Sequence, residues 1–220
     1  MNREVDLKEI TDGKFYTLGD MVKVGCGDCN GCHVCCTGMG NSIVLDPLDV
    51  HRICGVTGKD FETLLSLHIE LNMVEGVILP NIKSDEKEEC TFLNGEGRCS
   101  IHSERPGICR IFPLGRVYDD EGFKYVLQTK ECVRPIKTKV KVERWIDTPD
   151  IKRNQMFILE WHRFIKLVSG VISTSDEDTI KSINMFILNM FYLTPFRRDV
   201  DFYEIFNERL KNAKSALDIA

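Results

Sequence analysis

The stretch Gly25–Cys36, GCGDCNGCHVCC, decides how the rest of the chain is read. Five of the ten cysteines stand in these twelve residues, and the last two, Cys35 and Cys36, are adjacent. A dense set of thiols points to a disulfide framework, a metal or a reactive sulfur. The chain has 220 residues, 43% of them hydrophobic, which is enough to bury a core without cross-links. The N-terminal MNREVDLKEI lacks the apolar core of a signal peptide. The longest apolar run, Ile183–Leu193, is short and contains two asparagines, so it does not read as a membrane span. These features imply a cytoplasmic, reducing location, where clustered thiols bind metal or react rather than pair. The net charge of −5, with no polybasic run, argues against nucleic acid as a partner.

Composition divides the chain at Pro149. Before it lie all ten cysteines and fifteen of the sixteen glycines; after it come no cysteine and one glycine, Gly170. The expected fold class is α+β: a loop-rich, cysteine-cluster metal-binding domain over residues 1–148, with short strands and helices, followed by a helical region over 149–220 packed on it. KFYTL (14–18), MVKVG (21–25), MVEGVILPNI (73–82) and the pair GRVYDD/FKYVLQT read as strands, the pair turning at Asp120–Gly122. Asp46 is a helix N-cap, followed by Pro47 in the first turn and Asp49 near the positive end of the helix dipole. TGKDFETLLSLHI forms a second short helix. After Pro149, three groups of apolar residues at helical spacing predict three helices: Phe157, Trp161, Phe164, Ile165 and Val168; Ile180, Ile183, Ile187 and Met190; Phe202, Ile205, Phe206, Ala213 and Leu217. Ser175–Asp178 resembles a capping box.

The cysteines fall into two groups. Cys26, Cys29, Cys32 and Cys36 are spaced by two, two and three residues, the ligand gaps of bacterial [4Fe–4S] ferredoxins, with Thr37 in place of the usual proline. Gly25, Gly27 and Gly31 let the backbone close around a compact object and turn N–H groups towards sulfur. A second grouping, Cys29, Cys32, Cys35 and Cys36, is equally open. Adjacent cysteines diverge from the backbone, so Cys35 and Cys36 suit different irons of a cluster, or two metals, better than one tetrahedral zinc. The dispersed group is Cys90, Cys99, Cys109 and Cys132. Asn94–Gly97 is a turn that brings Cys90 and Cys99 together on a hairpin, and the flanking prolines of RPGICRIFP stiffen the segment carrying Cys109. Arg105 and Arg110 lie close in sequence to Cys109, where guanidinium charge would compensate thiolates. The ferredoxin-like gaps favour an iron–sulfur cluster, [4Fe–4S], over zinc as the alternative, for which eight cysteines would supply two closed sites. Cys54 sits in an apolar helical context and reads as a buried structural thiol. His33 and His102 lie beside cysteines and could replace a sulfur ligand, while His51, His68 and His162 read as packing or surface residues. There is no phosphate-binding loop.

The succession CxxCxxCC (Cys29, Cys32, Cys35, Cys36), then CTFLNGEGRCSIHSERPGICRIFP, then Cys132 resembles the YkgJ-type cysteine-cluster family of zinc- or iron-chelating domains, which includes the flagellin lysine N-methylases. The resemblance implies that Cys29, Cys32, Cys35, Cys36, Cys90, Cys99, Cys109 and Cys132 are the metal ligands. Arg105, Pro106 and Arg110 match the family's RP…CR element. Cys26 is extra to the pattern, His102 stands where the family commonly has an aromatic residue, and the C-terminal helices are not covered.

Two functions follow as expectations. One is an iron–sulfur protein serving redox chemistry or methyl transfer to a protein lysine, with a protein as substrate or partner. The other is a non-enzymatic zinc module whose helices contact a partner. A thiol redox sensor, with Cys35 and Cys36 metal-free, is a third.

Overall fold

Short elements joined by tight turns fill the cysteine-rich part of the chain, and long helices fill the end. The computed structural model describes residues 7–27, 32–134 and 137–219. In chain order the elements are α1 (Leu7–Ile10), β1 (Met21–Gly25), α2 (Pro47–Thr57), α3 (Phe61–Leu67), β2 (Ile69–Val74), β3 (Val77–Ile82), α4 (Gly107–Ile111), β4 (Leu114–Tyr118), β5 (Phe123–Leu127), β6 (Thr138–Lys141), α5 (Val142–Ile146), α6 (Ile151–Ile172), α7 (Glu177–Leu188) and α8 (Phe202–Ala216). Each strand pairs with one other, antiparallel: β1 with β6, β2 with β3, β4 with β5. Helix and strand are mixed in small separate sheets, so the fold is α+β.

The chain divides into two units, residues 1–43 with 84–154, and residues 44–83 with 155–220. The helices after residue 155 therefore share their unit with residues 44–83, a segment that composition groups with the cysteine-rich part.

In the first unit, Val22 and Val24 alternate inward along β1 and meet Ile111 of α4, Leu114 and Tyr125 of the β4–β5 hairpin, and Val142 and Ile146 of α5. KFYTL does not form a strand. Only Tyr16 bridges Tyr125, through reciprocal backbone bonds of 2.8 and 2.9 Å, because the side chains of Asp12 and Asp20 take up the amides of Lys14 and Thr17 on either side. β4 and β5 pair in full register and turn at Asp119–Gly122, with the Asp119 carboxylate accepting from Glu121 and Gly122.

In the second unit, Asp46 and Asp49 form a reciprocal capping box at the start of α2, with Pro47 in the first turn. Asp60 caps α3 through the Thr63 amide. MVEGVILPNI proves to be the second half of a hairpin: β2 begins at Ile69 and turns at Glu75–Gly76. Asn184 of α7, 2% exposed, clamps that turn, accepting from the Ile78 amide at 2.6 Å and donating to the Gly76 carbonyl. The cap of α7 lies one residue beyond the sequence expectation. Asp176 accepts from Thr179, while the Ser175 hydroxyl donates back to Val171. The core is aromatic: Phe157, Trp161, Phe164, Phe191, Phe202 and Phe206 meet with ring centroids 4.6–6.2 Å apart. Among the described residues no helix is long and apolar enough to cross a membrane.

Candidate metal centre

The backbone brings distant cysteines together before any side chain is considered. A short 3₁₀ turn, Val34–Cys36, carries the adjacent pair, closed by the Cys36 amide on the His33 carbonyl at 2.8 Å. Immediately after it the chain zips antiparallel against residues 88–90. Cys90 donates to the Cys36 carbonyl and Gly38 to the Glu88 carbonyl, both at 2.8 Å, and Thr37 bridges Glu89. The loop from Cys90 to Cys99 folds back on itself, with the Asn94 side chain accepting from Glu96 and Arg98, and Leu93 bridging Cys99. Gly97 holds a left-handed conformation (φ 68°), and a β-carbon there would stand 2.8 Å from His33 Nδ1. His33 thus packs on the turn, and the cysteine loop is tied to the hairpin at a second point.

The thiols in this region sense one another. The Cys36 S–H donates to the Cys35 sulfur, lowering the Cys35 thiol to about 7 and raising Cys36 well above the ordinary thiol value. Burial and the charges of Cys35, Cys90 and Cys109 add to the rise at Cys36. Burial also pushes up the thiols of Cys90 and Cys99, each of which has Cys35 among its electrostatic neighbours. The positive charge of Arg105 acts in the opposite sense on Cys35 and Cys99.

Arg110 has a different task. It is 4% exposed and its guanidinium donates to the carbonyls of Arg105 (3.1 Å), Asp147 (2.7 Å) and Ser103, with Glu104 at 3.9 Å. One side chain thereby holds α4, which carries Cys109, to the 103–105 segment and to the end of α5. Arg105 itself donates to the His102 carbonyl at 2.9 Å.

A second neighbourhood is a cleft lined by Cys26, Cys32, Cys35 and Cys132, walled by Phe112, Pro113 and Trp145 and edged by Glu131 and Arg134. The β1–β6 pairing builds it, because Gly25 lies opposite Thr138 and this sets the segment after β1 beside the segment before β6. A β-carbon at Gly25 would collide with the Thr138 side chain, so glycine is what permits the approach. Trp145 is fixed by donating to the carbonyls of Ile111 and Phe112 at 3.3 and 3.0 Å. Neither Trp145 nor Phe112 carries a spacing signal, and sequence reasoning passed over both.

Nine cysteines are described, all half-buried and none in a disulfide; Cys29 lies outside the described residues. Cys54 stands apart from the set, in the second unit, where burial raises its thiol and Arg198 donates to its carbonyl. Among the described residues no three His, Cys, Asp or Glu side chains converge to a finished metal shell. The donor chemistry nevertheless fits a thiophilic metal: many sulfurs, one thiol already lowered, and a guanidinium to offset thiolate charge.

Compared with protein-family models, residues 28–133 match CxxCxxCC, described as "Putative zinc- or iron-chelating domain". No curated protein and no solved structure matches the chain.

Proposed function

Residues 28–133 match the CxxCxxCC family, described as "Putative zinc- or iron-chelating domain", and from that premise we propose that the thiol-rich unit holds an iron–sulfur cluster of the [4Fe–4S] type. The ligands are drawn from Cys26, Cys29, Cys32, Cys35, Cys36, Cys90, Cys99, Cys109 and Cys132. The observation that carries the reading is the seam in which Cys90 donates to the Cys36 carbonyl, joining the dense group of thiols to the dispersed one. The ferredoxin-like gaps of the first group support iron and sulfide over zinc.

A cluster bound here supplies one-electron chemistry or an anchor for methyl transfer. The chain's own residues bind and tune it. Arg105 offsets the negative charge of ionised Cys35 and Cys99, Arg110 positions Cys109 through its carbonyl bonds, and the Phe112–Trp145 wall keeps water from the cleft side. Redox work or protein-lysine methylation in a reducing, cytoplasmic setting is the role this favours, with a protein as substrate or partner and residues 149–220 as the contact region. Anaerobic isolation with iron, sulfide and zinc analysis tests it. Brown protein with matching iron and acid-labile sulfide is expected; colourless protein carrying stoichiometric zinc overturns it.

A second reading is a structural zinc module. It is favoured by the lack of any fully buried residue in the Val34–Cys36 and His102–Glu104 turns, which a metal would have to hold in place.

A further inference from the structure

The cleft does not end at its thiols. Val34 and Val133 line it too and are 50% and 59% exposed, so its mouth is apolar and open to solvent. From that mouth a basic surface runs outward along the β1–β6 ribbon. Lys137 is tied to the cleft segment by donating to the Cys132 carbonyl at 2.9 Å. Beyond it, Val22, Val24 and Val140 pack on the core, which leaves Lys23, Lys139 and Lys141 exposed on the outer face. Strand register sets Lys23 directly opposite Lys139, a like-charge pair that works against the sheet. Among the described residues neither lysine has an ion-pair partner, while Lys141 meets Glu143 at 3.6 Å. Residues 130–144 carry six lysines or arginines against two glutamates, in a chain whose net charge is −5.

We propose that this face docks an acidic protein partner, whose carboxylates meet Lys23, Lys139 and Lys141 and whose apolar side chains meet Val34 and Val133 at the cleft mouth. This rests on the reading of the cleft as a working metal centre, and it gives the protein partner of that reading a charge and a second place of contact besides residues 149–220. A small apolar centre with a charged border is the anatomy of a protein–protein contact, in which charge steers the encounter and apolar burial holds it. A nucleic acid asks for more cations than this ribbon offers, since strong binders neutralise about six to ten phosphates. The negative charge of the whole chain also opposes a long polyanion. Lysines on a short ribbon can serve only to block edge pairing, and that role predicts a different result from the same variants.

Fluorescence anisotropy of a labelled peptide of alternating glutamate and leucine, titrated with the full chain as isolated, tests the docking. The peptide binds at low salt and is released at about 1 M salt, where the screening length is about 3 Å. A lysine–leucine counterpart does not bind. Lys23→Gln, Lys139→Gln and Lys141→Gln each weaken binding about twofold to fivefold, and the triple variant weakens it more than about tenfold. Val133→Ser weakens it about threefold, and Lys181→Gln on α7 leaves it unchanged. Carbodiimide coupling of the peptide to the natural chain needs no variant, and its cross-links map to Lys23, Lys137, Lys139 and Lys141. Cross-links confined to other lysines, or a triple variant that binds like the natural chain, overturn the proposal. So does a triple variant that self-associates yet keeps the peptide, which is the edge-blocking result. Duplex DNA that binds the same lysines more tightly than the peptide makes the occupant a nucleic acid, and a salt-sensitive dimer lost in the triple variant makes it a second copy; either overturns the proposal. Colourless, zinc-loaded protein that docks the peptide overturns the cluster alone, and iron–sulfur protein that ignores the peptide overturns the docking alone.

Discussion

The two units of this protein hold themselves together in different ways. In the helical unit, Phe164 and Phe206 are fully buried and stand in a continuous aromatic cluster with Trp161 and Phe191. In the cysteine-rich unit, the turns Val34–Cys36, Gly40–Ser42 and His102–Glu104 hold no fully buried residue. Its small core lies under β1, β4, β5, α4 and α5, while the thiol-bearing loops rest on backbone hydrogen bonds and one buried arginine. Apolar burial organises the first kind of structure. Loops without such burial recover their ordering entropy only through specific polar links and a ligand.

Metal removal is the strongest way to break the contrast. Chelation is expected to cost the thiol-rich loops on the order of 10 kcal/mol of binding-coupled stability. Amide hydrogen exchange checks it: protection is lost in residues 32–42 and 84–111 and retained in α6, α7 and α8. Phe206→Ala attacks the other side. It removes a side chain with no exposure from the aromatic cluster and costs about 3–5 kcal/mol in denaturant unfolding, with bound metal per chain unchanged.

Arg110→Ala comes next, because it leaves the carbonyls of Ser103, Arg105 and Asp147 without their shared donor. A loss of about 3 kcal/mol and weaker metal retention are expected in melts of the loaded protein, with partial rescue by Arg110→Lys. Gly97→Ala places a β-carbon in the left-handed region against the His33 ring and costs about 1–2 kcal/mol, read by thermal unfolding. The smallest effect is Asp46→Ala, which removes one half of the α2 capping box. It costs about 1 kcal/mol in the helical unit and leaves metal content untouched, by the same unfolding and metal assays.

The reading of particular residues shows how far local chemistry reaches. The Asp46–Pro47–Asp49 cap, the Asn94 turn and the period of the three C-terminal helices were legible because each is decided within a few residues. KFYTL misled because two aspartates offered its backbone local partners that compete with a strand. Arg105 and Arg110 looked alike in sequence, and burial separates them: Arg105 is half-buried and its charge acts on Cys35 and Cys99, while Arg110 is buried and holds three carbonyls.

By itself, then, the order of residues determined the wealth of sulfur, the pattern by which residues 28–133 match a family described as "Putative zinc- or iron-chelating domain", and the alternation of turns and helices. These depend on donor identity and on spacing along the chain. Only the tertiary structure decided that Cys36 meets Cys90, that Cys26 and Cys132 line one cleft, that Trp145 walls it, and that residues 44–83 fold with the C-terminal helices. Those pairings join positions separated by tens of residues, and they are selected by strand register, by glycines such as Gly25 that permit close approach and by which apolar faces can be buried together.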